Sequence, residues 1–163
     1  MYQFSLAPSD YLAPGFEEKL ILCDQTRCAY VELSDIIEQV FIGDMDGETT
    51  ETMRNLLIDY GKTICLITYT GKIADRQRFR ALLRNAHLLG AKAIKVTCDE
   101  YESIEDAVAD IGECARDAKC YGIRLCAENR QDSILSRNKD MEQLVKLAGE
   151  NVYTIFNPLS YAY

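Results

Sequence analysis

Three charged residues interrupt otherwise apolar runs at alternating positions: Glu32 in AYVELS, Lys95 in AKAIKVT and Glu128 in IRLCAEN. Val31 and Leu33 flank Glu32, Ile94 and Val96 flank Lys95, and Leu125 and Ala127 alternate with Cys126 and Glu128. On an extended strand successive side chains point to opposite faces, so the charged set shares one face and the apolar set the other. A carboxylate on such a face can act as a general base or ligate a cation. An ammonium there can hold an anionic group. The competing reading is structural: inward charges also pair with one another, Glu128 with Lys95 or Glu32 with Lys95 as a buried salt-bridge layer. Arg124 has the same parity as Glu128 but stands at the start of its run, where a stabilising role is expected.

Other chemically capable residues carry weaker signals. His87 is the sole histidine, and it falls inside an amphipathic segment beside Leu83 and Ala86. A structural role is expected. Asp44-Met45-Asp46-Gly47-Glu48 has the start of a calcium loop but lacks the third acidic position and the closing Glu at the required offset. It reads as a turn before a helix capped at Thr49 or Thr50. The seven cysteines include no CxxC and no pair at zinc-ligand spacing. Cys65, Cys98 and Cys126 lie in or beside strand-like runs, where a thiol acts as a small apolar group. A reducing, cytoplasmic setting accounts for them.

The elements that position these residues repeat. An amphipathic helix ends at Gly61, Gly90, Gly122 or Gly149, and a strand begins almost at once: KTICLITYT, AKAIKVT, IRLCAEN and NVYTIFN. Each glycine suits the left-handed position just past a helix. Helices are expected near 16–24 and over 50–60, 75–89, 103–121 and 140–148. Ser103 with Asp106 marks one start. Two earlier strands read YQFSLA and AYVELS. Strand–helix alternation at roughly 30-residue spacing predicts parallel strands joined by crossover helices. An open sheet covered on both faces needs strands apolar throughout. The polar alternation here favours instead an α/β fold of the parallel (β/α) barrel type. No GxGxxG or GxxxxGK[ST] follows any strand, which weighs against a dinucleotide or P-loop site. The 163 residues hold about six β/α units, whereas a closed eight-stranded barrel takes roughly 200 residues or more. The expectation is one incomplete barrel domain over 1–163, short of its last two units.

Composition bounds the partners. With 48% hydrophobic and 27% charged residues the chain can bury a core, and its net charge is −8. That acidity, without a basic stripe, argues against nucleic acid. No apolar run is long enough for a membrane helix, and MYQFSLAPSD lacks a secretory pattern.

The run YGIRLCAENRQDS, followed by a helix and ENVYTIFNPLSY, resembles the xylose-isomerase-like sugar isomerases and epimerases. In that family a fifth strand commonly ends in Glu-Asn and a sixth in Asp-Pro. RALLRNAHLLGAKAIKV is similar to the family's third helix and fourth strand, and AYVEL to its second strand. The resemblance implies a TIM-type barrel and enediolate chemistry on a sugar or sugar phosphate, by proton abstraction next to a carbonyl. A divalent metal (manganese, magnesium or zinc) would stabilise the oxyanion. It implies catalytic roles for Glu128, Glu32 and Lys95 and substrate contacts from Asn129, Asn157 and Thr97. Glu128 matches the family's first metal ligand. Asn157 replaces the second, usually Asp, and brings no charge. The ligands of the seventh and eighth strands have no counterpart. The implied chain is therefore a degenerate or incomplete member with weak activity or none, the alternative being a carbohydrate-binding module or pseudoenzyme. The related apurinic-endonuclease branch is disfavoured by the acidity and by the want of its His-rich clusters. Open edges on the first and sixth strands, with Tyr153, Tyr161 and Tyr163 near the second, predict self-association.

Overall fold

A computed structural model describes residues 4–131 and 133–157. The chain runs through β1 (Ser5–Leu6), α1 (Phe16–Gln25), β2 (Tyr30–Ser34), β3 (Ile36–Ile37), β4 (Val40–Phe41), a 3₁₀ turn (Ile42–Asp44) and α2 (Gly47–Asp59). It continues with β5 (Thr63–Thr68), α3 (Arg76–Leu88), β6 (Ala93–Val96), α4 (Ile104–Cys120), β7 (Arg124–Glu128), α5 (Asn138–Ala148) and β8 (Val152–Ile155). Six strands form one parallel sheet in the order β1-β2-β5-β6-β7-β8. Sheet order follows chain order without a reversal. That is the winding of a (β/α) barrel unit, whereas a doubly wound sheet reverses at a switch point. Among the described residues β1 and β8 are the outermost strands.

The predicted helices all form. Gly61, Gly90, Gly122 and Gly149 have φ of 61°, 75°, 69° and 88°, the left-handed region a side chain resists. Ser103 caps α4, its Oγ accepting from the Asp106 amide at 3.2 Å. Two local expectations are corrected. The α2 cap is Asp46, whose Oδ1 accepts from the Thr49 amide at 2.7 Å, so Thr49 and Thr50 lie inside the helix. The turn expected over 44–48 is shorter, since a 3₁₀ turn ends at Asp44 and α2 begins at Gly47; residues 36–41 before it form a hairpin that the sequence did not predict.

One side of the sheet meets the helices. Val31, Leu33, Ile64, Ile67, Ile94, Val96, Leu125 and Ala127 join Leu20, Phe79, Leu82, Ile111 and Leu144 in a single core. β5 keeps its place in that core through a bulge. Val31 pairs Ile64 and Glu32 pairs Leu66, leaving Cys65 unmatched. The extra residue resets parity, so Ile64 and Ile67, three apart, both face the helices. The first strand was expected over YQFSLA; of its described residues, 4–7, Ser5–Leu6 alone form strand, and residues 1–3 lie outside the described residues, as do Pro158 and the tail LSYAY.

Candidate functional site

The inner face of the sheet carries the polar set. The register aligns Ser34, Thr68, Lys95, Cys126 and Tyr153 in one row across five strands. Glu128 stands two residues beyond Cys126, at the C-terminal end of β7, opposite Ile155. Lys95 Nζ donates to Glu128 Oε1 at 3.2 Å, with the two side chains 17% and 13% exposed. A half-hidden ion pair therefore sits near the C-terminal ends of β6 and β7, the end at which parallel barrels bind ligands.

Glu32 shares this face, one step nearer the N-terminal side on β2. Its Oε1 accepts from Ser5 Oγ at 2.5 Å, binding β2 to β1. The Glu32–Lys95 layer allowed by the sequence is thus replaced by Glu128–Lys95 and Glu32–Ser5. Leu66, Ala93 and Cys126, the last within the polar row itself, form a small apolar patch with Cys65 and Ile155 packed against it. Arg124 lies at the foot of β7 with its guanidinium 5.7 Å from the Tyr153 ring centroid, in keeping with a stabilising role. Thr97 follows β6 and is half-buried.

Asn129 is completely buried, and its amide is engaged by the backbone. Nδ2 donates to the Asn157 carbonyl at 3.0 Å, and Oδ1 accepts from the Asn157 amide at 2.5 Å. The side chain thereby extends the β7–β8 ladder beyond the strands. Asn157 meets the Asn129 amide through its main-chain N–H and carbonyl.

The rim above the pair is tied together by contacts the sequence pattern did not reveal. Arg130 Nη1 donates to Asp99 Oδ2 at 2.6 Å, joining the loops after β6 and β7. Glu100 Oε1 accepts from the Ile73 amide at 2.6 Å, joining the loops after β5 and β6. Asp35, fully buried just past β2, accepts from the Thr70 amide at 3.1 Å and the Thr70 hydroxyl at 2.9 Å. All three lie outside strands, where periodicity assigns no face; the recoverable signal was acidic residues close to strand ends, Asp35 next to β2 and Asp99 and Glu100 shortly after β6.

His87 sits on α3, its Nδ1 2.9 Å from the Tyr121 carbonyl and its ring edge-on to Tyr121, a structural position as expected. The thiols are free. Burial pushes Cys98 and Cys114 up to about 12 and Cys126 up to about 11, so none is primed as a nucleophile. Two grooves of about 500 and 640 Å³ lie outside the sheet, along α5 with β8 and between α1, the hairpin and α2. Neither touches Lys95 or Glu128. In the second, Glu38 accepts from the Phe16 amide and Asp46 from the Thr49 amide, so these carboxylates already close helix ends.

A divalent metal needs several converging oxygen, nitrogen or sulfur donors. Among the described residues no three His, Cys, Asp or Glu side chains form such a group. Glu128 is taken by Lys95. The described residues therefore do not fit a metal centre.

No protein-family model matches the chain, and no curated protein sequence matches it. Solved structures do. A D-psicose 3-epimerase studied in the presence of D-fructose superposes with a TM-score of 0.78 at 16% identity, over 95% of this chain and 63% of its own. A xylose isomerase domain-containing protein of Salmonella typhimurium LT2 gives 0.76 at 22% identity, over 93% and 59%. A xylose isomerase-like TIM-barrel protein of Mycobacterium smegmatis, in complex with magnesium, gives 0.66 at 17% identity, over 97% and 66%. The chain thus shares the parallel α/β fold of part of these TIM-barrel proteins and spans about three-fifths of their length. No helix among the described residues is long and apolar enough to cross a membrane.

Proposed function

We propose that this chain is a single partial TIM-barrel domain that receives a small sugar-like carbonyl compound at the C-terminal ends of its strands. In this reading its chemistry is that of a sugar isomerase or epimerase, with weak turnover or none from the chain alone. The observation carrying the reading is the Lys95–Glu128 pair at 3.2 Å on the inner face of β6 and β7. A carboxylate beside an ammonium in a half-hidden site suits proton transfer next to a carbonyl. Glu128 would take the proton, and Lys95 would donate to the carbonyl oxygen on which negative charge develops. Glu32 would bound the far side of the inner face. Thr97, at the top of β6, and Asn157 would contact substrate, with Asn129 holding the Asn157 backbone in position.

A second reading, a carbohydrate-binding module without turnover, is favoured by one observation. Glu128 is already paired with Lys95, so its carboxylate is occupied where the family would use it as a metal ligand. Wash-in of solvent deuterium next to the carbonyl of D-fructose, followed by NMR, separates the two. Exchange that is lost in Glu128→Gln establishes the enzyme. Binding without exchange establishes the module, and no binding at all defeats both. Calorimetric titration with manganese should show weak binding; micromolar affinity abolished by Glu128→Gln would restore a metal role. Self-association through the β8 edge belongs to the same proposal, and light scattering over a concentration series tests it.

A further inference from the structure

The two outer grooves differ in charge. The one along α5 and β8 is lined by Lys146 and Glu142, one residue of each sign. The one between α1, the hairpin and α2 is lined by Glu17, Glu38, Asp44, Asp46 and Glu48 and by no lysine or arginine. All five carboxylates are exposed, and none takes part in an ion pair among the described residues. Elsewhere Glu113, Asp117, Glu128 and Asp140 are each answered by an arginine or lysine. Glu38 and Asp46 accept from the Phe16 and Thr49 amides, and Glu17 accepts from the Tyr60 hydroxyl at 2.9 Å. Those donors are neutral and leave the negative charge in place. Arg54 falls on the opposite face of α2 by helical spacing. Arg78 stacks on Phe41, 3.7 Å from the ring centroid, in a separate recess that shares only Asp44 with the groove.

Within this rim the groove, about 640 Å³, is apolar. Ile37, Met45 and Met53 lie buried beneath it, Val40 is 45% exposed on the hairpin, and Leu56 is half-buried on α2. The α2 wall is one helical face, Thr49, Thr52, Met53 and Leu56, continued by Glu48 at its N-terminal end. From Glu48 to Leu56 it runs about two turns, or about 12 Å. The facing wall is fixed in advance: the Glu38 carboxylate fastens the hairpin to the Phe16 amide at 2.8 Å. An extended peptide would need a strand edge to pair with, and the hairpin strands have only two residues each. A helix laid beside α2 needs no such edge.

We infer that this groove docks a basic amphipathic helix of a partner protein, its apolar stripe on Val40, Met53 and Leu56 and its lysines or arginines against the carboxylate rim. Apolar contact supplies the affinity, and the unpaired carboxylates favour a cationic partner and repel an acidic one. Met45 and Met53 let the floor adapt to the partner's side chains. A second copy of this chain fits poorly, since each copy carries a net charge of −8. The groove does not touch Lys95 or Glu128, so the inference is independent of the sugar reading.

Fluorescence anisotropy of the full chain with three labelled four-turn peptides tests it. The first is a Leu/Lys helix with its leucines on one face. The second has the same composition scrambled so that no apolar face forms, and the third replaces lysine by glutamate. The first should bind at least roughly tenfold more tightly than either control, and more weakly as salt rises. Glu17→Lys combined with Glu48→Lys should weaken it roughly tenfold, and so should Val40→Asp. Glu142→Lys, in the other groove, should leave it unchanged. Circular dichroism checks that each variant folds, and the peptide controls on the unmodified chain decide the matter if one does not. Equal binding of the scrambled peptide, or equal weakening by Glu142→Lys, would reduce the effect to general attraction by an acidic protein and overturn the inference. So would failure of the Leu/Lys helix to bind at low salt. Displacement of that peptide by octylammonium at equal concentration would assign the groove to a small cationic amphiphile instead.

Discussion

The two faces of the sheet are built from alternate residues of the same strands, yet they obey different rules. On the helix side Ile64, Ile67, Ile94, Val96, Leu125 and Ala127 are completely buried in one continuous core. On the inner side those residues alternate with Lys95, Cys126 and Glu128, and the apolar remainder shrinks to a patch around Leu66 and Ala93. Burial of apolar area decides the first face; pairing of charge decides the second. Stability should therefore reside on the helix side and function on the inner side, and the two can be perturbed separately.

The largest effect should come from the helix side. Ile94→Ala removes a fully buried side chain from the centre of the sheet and should cost about 3 kcal/mol in urea denaturation. Leu66→Ala, in the small inner patch, should cost less, about 2 kcal/mol at the low end for such a truncation, since fewer neighbours are left around a cavity there. Equal costs would mean that the inner face is packed as tightly as the core, and the contrast between the faces would fail.

A second effect, of about 1–2 kcal/mol, should attend the ion pair. Glu128→Gln keeps the shape but leaves the Lys95 ammonium mostly hidden without its carboxylate. The cost should fall between that of an exposed pair and that of a buried one. Lys95→Met combined with Glu128→Gln removes both charges and should recover most of the loss. A single substitution without cost would show that the pair is hydrated and does not constrain the site.

What the sequence disclosed follows the same division. Helix ends were legible at Gly61, Gly90, Gly122 and Gly149 because a left-handed residue is a local requirement with a local signature. The inward parity of Glu32, Lys95 and Glu128 was legible because alternation on β2, β6 and β7 is regular. The bulge at Cys65 was hidden: TICLIT is apolar on both faces, so no polar residue marks the change of parity. The hairpin was hidden for another reason. Its turn residues Glu38 and Gln39 have φ of 51° and 67°, where glycine or asparagine is the usual signal. The Glu38 carboxylate helps hold that turn by accepting from Phe16, on a helix 22 residues earlier in the chain. The role of Asn129 was illegible for a similar reason, since its partners lie on the backbone of Asn157, one β/α unit away.

The smallest perturbation is a chemical label that leaves the fold intact. Four thiols sample the layers. Cys120 is exposed at the end of α4, Cys98 and Cys114 are completely buried, and Cys126 lies on the inner face at 8% exposure. Burial pushes Cys126 up to about 11 from an ordinary 9.0, which leaves it about a hundredfold less thiolate near pH 8 than an unperturbed thiol. Cys98 and Cys114, at about 12, hold roughly tenfold less again. Alkylation of the native protein by iodoacetamide, read by peptide mass spectrometry, should therefore proceed at Cys120 first, then Cys126, with Cys98 and Cys114 last. The order tests the contrast between faces at its weakest point, because Cys126 shares its row with Lys95. If Cys126 reacts as fast as Cys120, water reaches the inner row freely, and Lys95 and Glu128 meet as solvated ions. If it reacts as slowly as Cys98, the inner face is sealed like the core, and a sugar could reach the pair only through local opening of the sheet. The intermediate rate is the one a half-hidden binding surface requires.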